Sequence, residues 1–282
     1  MSGSGKGRAG PPEEAGGMRT NEEILSSLPS DSALAGRTAL VTGSTGGIGE
    51  AVARVLAASG AEVLVSGRDA GRARGVVDAI TASGGRAHAL TADLGAAPGE
   101  IRAFAERAQE ALGGRVDLLV NNAGVYPGLL TPSVTDEEME ALWATNVRAP
   151  HVLVALLAPR MAERGAGVVV NVGSWMARVG VPYKALYPAT KAAVEQLTRA
   201  WAAEFGPRGV RVNGVAPGAT ATRGTAGNAD QLAAMTKATP AGVPVRPVDI
   251  AYAVRYLVSD EAAFVQGATL DVDGGLAATR LR

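Results

Sequence analysis

From Gly36 onward, short apolar runs rich in β-branched residues alternate with amphipathic stretches of roughly 12 to 25 residues. The runs predict strands at Thr38–Thr42, Glu62–Ser66, Ala87–Thr91, Leu118–Asn121, Val168–Val172, Arg211–Val215 and Thr269–Val272. The stretches between them predict helices near 47–59, 70–83, 99–113, 135–164, 184–206 and 247–258. Most strands are apolar throughout, as expected where helices cover both faces of a sheet. Strand–helix alternation at this spacing implies βαβ units, right-handed crossovers and a parallel sheet. The expected fold is α/β: one doubly wound parallel sheet of seven strands over 36–282, with helices on both faces. Residues 1–35 are expected to form a disordered arm. Met1–Gly17 is rich in Gly, Pro and charge and lacks the apolar core of a signal peptide. Met18 is a second candidate start.

Composition narrows the chemistry. Of 282 residues, 55 are Ala and 37 Gly, while only 11 are aromatic, so close backbone packing replaces large aromatic anchors. Charge balances at 27 basic against 27 acidic residues, which argues against a nucleic-acid partner. The absence of cysteine excludes thiol catalysis and iron–sulfur clusters, and two distant histidines, His88 and His151, argue against zinc. The longest aliphatic run, Val152 to Ala158, stops at Pro159, so no membrane span is expected. The chain reads as soluble and cytoplasmic.

Open parallel sheets bind ligands beyond the carboxyl ends of their strands. After the first strand, Thr42-Gly-Ser-Thr-Gly-Gly-Ile-Gly49 leads into a helix. Its glycines allow a tight turn against a pyrophosphate, which the helix N-terminus favours. After the second strand, Gly67 stands where a carboxylate often accepts from a ribose 2′-hydroxyl, and Arg68 follows, able to clamp a 2′-phosphate. Since 23 of the 27 basic residues are Arg, an ordinary surface cation is the alternative. Asp93-Leu94 after the third strand is placed beside an adenine, or else shapes a turn. In Asn121-Asn-Ala-Gly124, Asn121 and Asn122 read as strand ties, with Ala123 and Gly124 giving a cofactor room. Ser174 follows the fifth strand, and 13 residues later comes Tyr187-Pro-Ala-Thr-Lys191. Tyr and Lys at i and i+4 share a helix face, and a nearby ammonium should lower the phenol's pKa toward working pH. Tyr187 is thereby a candidate general acid/base for an alcohol–carbonyl couple. Tyr183 is a rival without a cation at i+4.

In these motifs, with Pro217-Gly218 and Leu270–Gly275, the chain resembles the short-chain dehydrogenase/reductase family over about residues 36–276, and its 3-oxoacyl-carrier-protein-reductase-like members in particular. The resemblance implies a catalytic set of Asn146, Ser174, Tyr187 and Lys191, with Asn146 holding a water in a proton relay. It implies cofactor contacts from Gly43, Ser44, Thr45, Gly47, Ile48, Arg68, Asp93, Leu94, Asn121, Ala123, Gly124, Tyr187, Lys191, Pro217, Gly218, Thr220 and Thr222. Ser174, Trp175 and Tyr187 would meet a carbonyl or alcohol substrate, with Met176 and Tyr126 as further pocket candidates. A lid is expected near 220–245. Three positions depart from the family pattern: Gly173 where Ser is frequent, Gly46 where NADP-dependent members often carry a cation, and Thr220 where an aliphatic residue is common. The cofactor is expected to be NADP(H), with NAD(H) as the other option. A cofactor-binding module without turnover and an epimerase using the cofactor transiently are the competing readings. A homotetramer or homodimer is expected, joined through 135–164 and 184–206, where Val152, Leu153, Leu156 and Leu157 form an apolar face.

Overall fold

In the computed structural model, which describes residues 18–128, 130–182 and 185–279, every predicted strand forms. They are β1 (Thr38–Val41), β2 (Glu62–Gly67), β3 (Arg86–Thr91), β4 (Leu118–Asn121), β5 (Gly167–Val172), β6 (Val210–Pro217) and β7 (Thr269–Val272). One sheet holds them in the order β3-β2-β1-β4-β5-β6-β7, all parallel. The winding reverses between β1 and β4, so the carboxyl ends of these neighbours open onto a crevice.

Nine α-helices lie among the described residues: α1 (Asn21–Leu25), α2 (Gly47–Ala58), α3 (Ala70–Ala82), α4 (Pro98–Ala111), α5 (Asp136–Trp143), α6 (Ala149–Glu163), α7 (Leu186–Phe205), α8 (Ala229–Lys237) and α9 (Pro247–Val258). Strand alternation divides the core in two. Ala39 and Val41 face a cluster with Val52 and Leu56 of α2, Ile80 of α3 and Val254 of α9. Leu40 between them faces Phe104 of α4, Leu153 and Leu157 of α6, and Trp201 of α7. A leucine such as Leu153, fully buried, makes a Leu→Ala change there worth about 2–5 kcal/mol. The central strands β1, β4 and β5 are buried along their whole length, whereas Arg86, His88, Ala89 and Thr91 of edge strand β3 are exposed. Cover on both faces therefore holds for the centre of the sheet and fails at its edge. There His88 and Glu62 pair across strands at 2.7 Å.

Two expectations change. Residues 18–35 are not a loose arm. Thr20 and Glu23 form a reciprocal cap on α1, Leu25 and Leu34 are buried, and Arg255 pairs with Asp31 at 2.6 Å. Asn21 Oδ1 also accepts from the Val248 N–H, 2.9 Å, at the start of α9. The Gly/Pro-rich composition belongs to the first 17 residues, which lie outside the described set. The second change concerns the apolar face at 152–157. Val152, Leu153 and Leu157 are already buried within the chain against the sheet and α4, so they form no docking surface.

The predicted helix over 135–164 is continuous but passes through a wide π turn at Ala144–Arg148, where the Ala149 N–H donates to the Ala144 carbonyl. Asp136–Glu163 is long and apolar enough to cross a membrane by length and composition, and 56% of its most apolar stretch is buried inside the protein.

Candidate active site

The glycine loop between β1 and α2 owes its shape to φ angles and missing side chains. Gly43 (φ 63°) and Gly47 (φ 57°) occupy the left-handed region open to glycine. A Cβ on Gly49 would strike the Gly43 carbonyl, lie 2.5 Å from Asn122 Nδ2 and 2.8 Å from Ser44 Cα. Side chains then lock the loop. Ser44 Oγ donates to the Val41 carbonyl, 2.7 Å, and accepts from the Ser66 N–H, 2.9 Å. Thr42 Oγ1 accepts from the N–H groups of Asn122 and Ala123 at 3.0 and 3.1 Å. Asn122 Nδ2 donates to the carbonyls of Thr42 and Gly43. Asn121 Nδ2 donates to Asn171 Oδ1, 2.9 Å, and Asn171 donates on to Thr198 of α7. Both asparagines are thus the strand ties that the sequence suggested. The N-terminus of α2 carries no side-chain cap; its free N–H groups and the space left by Gly46, whose Cβ position is open, form a cradle that fits a dinucleotide's pyrophosphate. Thr222 closes one side, its Cγ2 3.5 Å from the Cβ position of Gly47.

At the tip of β2, Gly67 has a structural reason: a Cβ there would sit 2.7 Å from Thr45 Cγ2. Arg68 is exposed and borders a cavity of about 430 Å³ with Thr91, Ala92, Asp93, Glu100, Phe104 and Arg107. Asp93 Oδ1 accepts from the Gly95 N–H, 2.9 Å, which fits the turn-forming reading, yet its side chain also borders this cavity; Leu94 is buried behind it. Arg107 escaped notice in the sequence, because a helical Arg among 23 carries no local signal.

A larger cavity, about 950 Å³, runs from the glycine loop to the far side of β6. Ile48, Gly124, Ser174, Trp175, Tyr187, Lys191, Pro217, Gly218, Thr220 and Thr222 all border it, as do Tyr126 and Met176. Ser174 leaves the end of β5 and caps the following 3₁₀ turn, Trp175–Arg178, its Oγ accepting from the Met176 N–H at 3.2 Å. Tyr187 and Lys191 enter from the first turns of α7, one helical turn apart. The Tyr187 hydroxyl lies beside Ser174. Lys191 Nζ donates to the Val172 carbonyl, 2.8 Å, and lies 5.8 Å from the Tyr187 ring centre. The Tyr126 ring stands edge-on to Tyr187, centroids 4.6 Å apart.

The electrostatics overturn one expectation. Removal from water pushes the Tyr187 phenol up to about 12, while Ser174 beside it pulls the other way. Lys191 does not lower it here: burial strips the ammonium of solvent as well and brings it down to about 8. Desolvation is the leading cause of both shifts.

Asn146, inside the π turn, is buried. Its Nδ2 donates to the Val125 carbonyl at 3.0 Å and to Thr190 Oγ1 at 3.1 Å, and its Oδ1 accepts from the Val125 N–H at 2.8 Å. Asn146 therefore pins the segment after Gly124 against α7; its proposed hold on a water is an expectation only. A Cβ on Gly124 would sit 3.3 Å from Asn146 Oδ1 and 3.5 Å from Lys191 Nζ, so these three positions share one small space. The expected lid contains α8, whose Gln231, Leu232 and Met235 reach the cavity. The apolar spacing of Leu232 and Met235 was the missed signal. Tyr183 lies outside the described residues.

A family model described as enoyl-(acyl carrier protein) reductase matches residues 43–277. The 3-oxoacyl-[acyl-carrier-protein] reductase of Vibrio cholerae is 37% identical over 86% of this chain and 98% of its own. Among solved structures, a short-chain dehydrogenase/reductase family protein is 44% identical, with a TM-score of 0.80 over 88% of this chain and 100% of the other. A nominal gluconate 5-dehydrogenase of Beutenbergia cavernae, holding NADP at low occupancy, is 40% identical with a TM-score of 0.82 over 87% and 98%. With its sheet order, glycine loop and Ser174–Tyr187–Lys191 cluster, the chain belongs to the short-chain dehydrogenase/reductase family, as a member similar to the 3-oxoacyl-carrier-protein reductases.

Proposed function

We propose that the protein transfers a hydride between NADP(H) and a ketone or secondary alcohol, with Tyr187 as general acid/base. The observation that carries this reading is the meeting of Ser174, Tyr187 and Lys191 in the cavity that begins at the glycine loop. When bound, the nicotinamide supplies the hydride to a carbonyl carbon or takes it from an alcohol. The chain's own residues do the rest. Tyr187 Oη gives a proton to the carbonyl oxygen in reduction and takes it back in oxidation. Ser174 Oγ donates to the same oxygen and holds it in line with the phenol. Lys191 orients the ribose and balances charge as the phenol gives up its proton.

The choice of NADP(H) is supported by Arg68 and Arg107 around one cavity and by the absence of a carboxylate at Gly67. A 2′-phosphate there would be held by charge-assisted contacts. Assembly as a homodimer or homotetramer belongs to the same reading, and a monomeric mass by light scattering at micromolar concentration would remove it. The main test is a panel of cyclopentanone, ethyl acetoacetate and a 3-oxobutanoyl thioester, each with NADPH and NADH. Net NADPH consumption with at least one ketone is expected. Binding of NADPH without consumption on any of them would favour a module that kept the fold and lost turnover.

A further inference from the structure

Resting on the reading of Ser174, Tyr187 and Lys191 as the reacting set, we propose that Arg178 is a positioning residue that holds Ser174 at the Tyr187 hydroxyl by tying the serine's turn to α7 and β7. Arg178 closes the 3₁₀ turn that Ser174 opens. Its Nε donates to Glu195 Oε2 at 3.1 Å and Oε1 at 3.3 Å, and its Nη2 to Oε1 at 3.2 Å. The other edge of the guanidinium meets Asp271 of β7, with Nη1 3.0 Å from Oδ2 and Nη2 2.9 Å from Oδ1. Glu195 lies one helical turn beyond Lys191 on α7, and its side chain is only 8% exposed. The two carboxylates therefore fix a planar cation from two directions, one of them on the helix that delivers Tyr187 and Lys191. Gly173, just before Ser174, brings the strand end close to the same carboxylate: a Cβ there would stand 3.7 Å from Glu195 Oε1.

The connection has a physical reason. Ser174 Oγ is aimed by only a short turn: it accepts from the Met176 N–H, and the Ala177 N–H donates to the Ser174 carbonyl at 3.0 Å. One turn of 3₁₀ helix is soft on its own. Anchoring its last residue to α7 makes the Ser174–Tyr187 distance depend on side chains of the same helix, and reacting groups misplaced by about 1 Å can lose rate a hundredfold. Lysine at 178 would supply a single rotatable ammonium and meet the two carboxylates less well.

The experiment uses the full chain, with the ketone that the wild-type protein reduces fastest among cyclopentanone, ethyl acetoacetate and the 3-oxobutanoyl thioester. Arg178→Met is expected to lower kcat between about 10- and 100-fold while leaving the NADPH dissociation constant, read by cofactor fluorescence, within about twofold. Because that change strands a buried carboxylate and can cost folding, the double variant Arg178→Met with Glu195→Gln is measured beside it. A double variant that recovers the wild-type Tm yet keeps the kcat loss supports positioning, as does partial recovery of kcat in Arg178→Lys. Recovery of kcat together with Tm overturns the proposal, leaving Arg178 a stabilising ion pair. Tyr187→Phe separates the two levels. If it abolishes turnover while Arg178→Met leaves kcat unchanged, the positioning role fails and the reading of the reacting set stands. If Tyr187→Phe is also harmless, or the wild type reduces none of the ketones, that reading fails and the proposal with it.

Discussion

The two ends of the long cavity are built differently. At the glycine loop, Thr42, Ser44, Asn121 and Asn122 hold the backbone with buried hydrogen bonds, and a Cβ on Gly49 has no room. At the other end, the lid from Ala221 to Val245 is mostly exposed, its two ends are joined by the short bridge of Thr220 with Val245, and Thr222–Thr225 contacts hold it from within. One end is a fixed cradle; the other is a covering that different side chains can line. The difference teaches where specificity resides. On the proposed reading, backbone and buried amides set the cofactor geometry, and substrate choice falls to Tyr126, Trp175 and the α8 residues that border the other end.

The largest expected effect lies where the two ends meet. Tyr187→Phe should cut turnover by roughly 100-fold or more with NADPH binding nearly intact. Steady-state rates and a fluorescence titration check this, and retention of a tenth of wild-type turnover would end the assignment. At the cradle, Gly49→Ala should overpack the loop at a cost of about 1–3 kcal/mol, lowering both Tm and cofactor affinity. Gly46→Ala, three residues earlier in open space, should leave Tm unchanged. Equal behaviour of the two variants in thermal melts would mean that the loop is not the rigid end.

Arg68→Ala tests the cradle's far edge. A charge-assisted contact to a 2′-phosphate contributes about 1.5–3 kcal/mol, and with no cation at Gly46 the lower half of that range is expected. NADPH should weaken on the order of tenfold while NADH is unmoved. If NADH already serves the unmodified protein as well as NADPH, Arg68 is a surface cation.

The smallest effect is a slope. Lys191 is brought from 10.5 to about 8 by burial, so between those values the unfolded chain binds more protons than the folded one. This group's contribution to stability should then rise with pH across that window, its penalty being full below about 8. Urea midpoints measured at several pH values should show the rise, and Lys191→Met should flatten it.

The sequence made the sheet legible because most strands are apolar runs followed by a motif at the carboxyl end. Ser174, Tyr187 and Lys191 were legible for the same reason: each stands at a fixed offset from a strand or helix start. What stayed hidden depended on distance in the chain. Arg178 and Asp271 are 93 residues apart, and Asn21 meets Val248 across 227. No local pattern signals such pairs. The direction of the Tyr187 shift was missed because helical spacing shows that Lys191 is near, not how much water both groups lose.

The π turn at Ala144–Arg148 carries one residue more than an ordinary helical turn. One residue is about 100° of rotation, so the faces of α5 and α6 are out of phase by that angle. Leu142 before the turn and Leu153 after it are both buried, and between them Asn146 is free to aim at Val125. Deleting a single residue, such as Thr145, would restore the uniform period. The chain would then have to swing either Asn146 off Val125 or Leu153 off the sheet, because a helix of one phase cannot serve both.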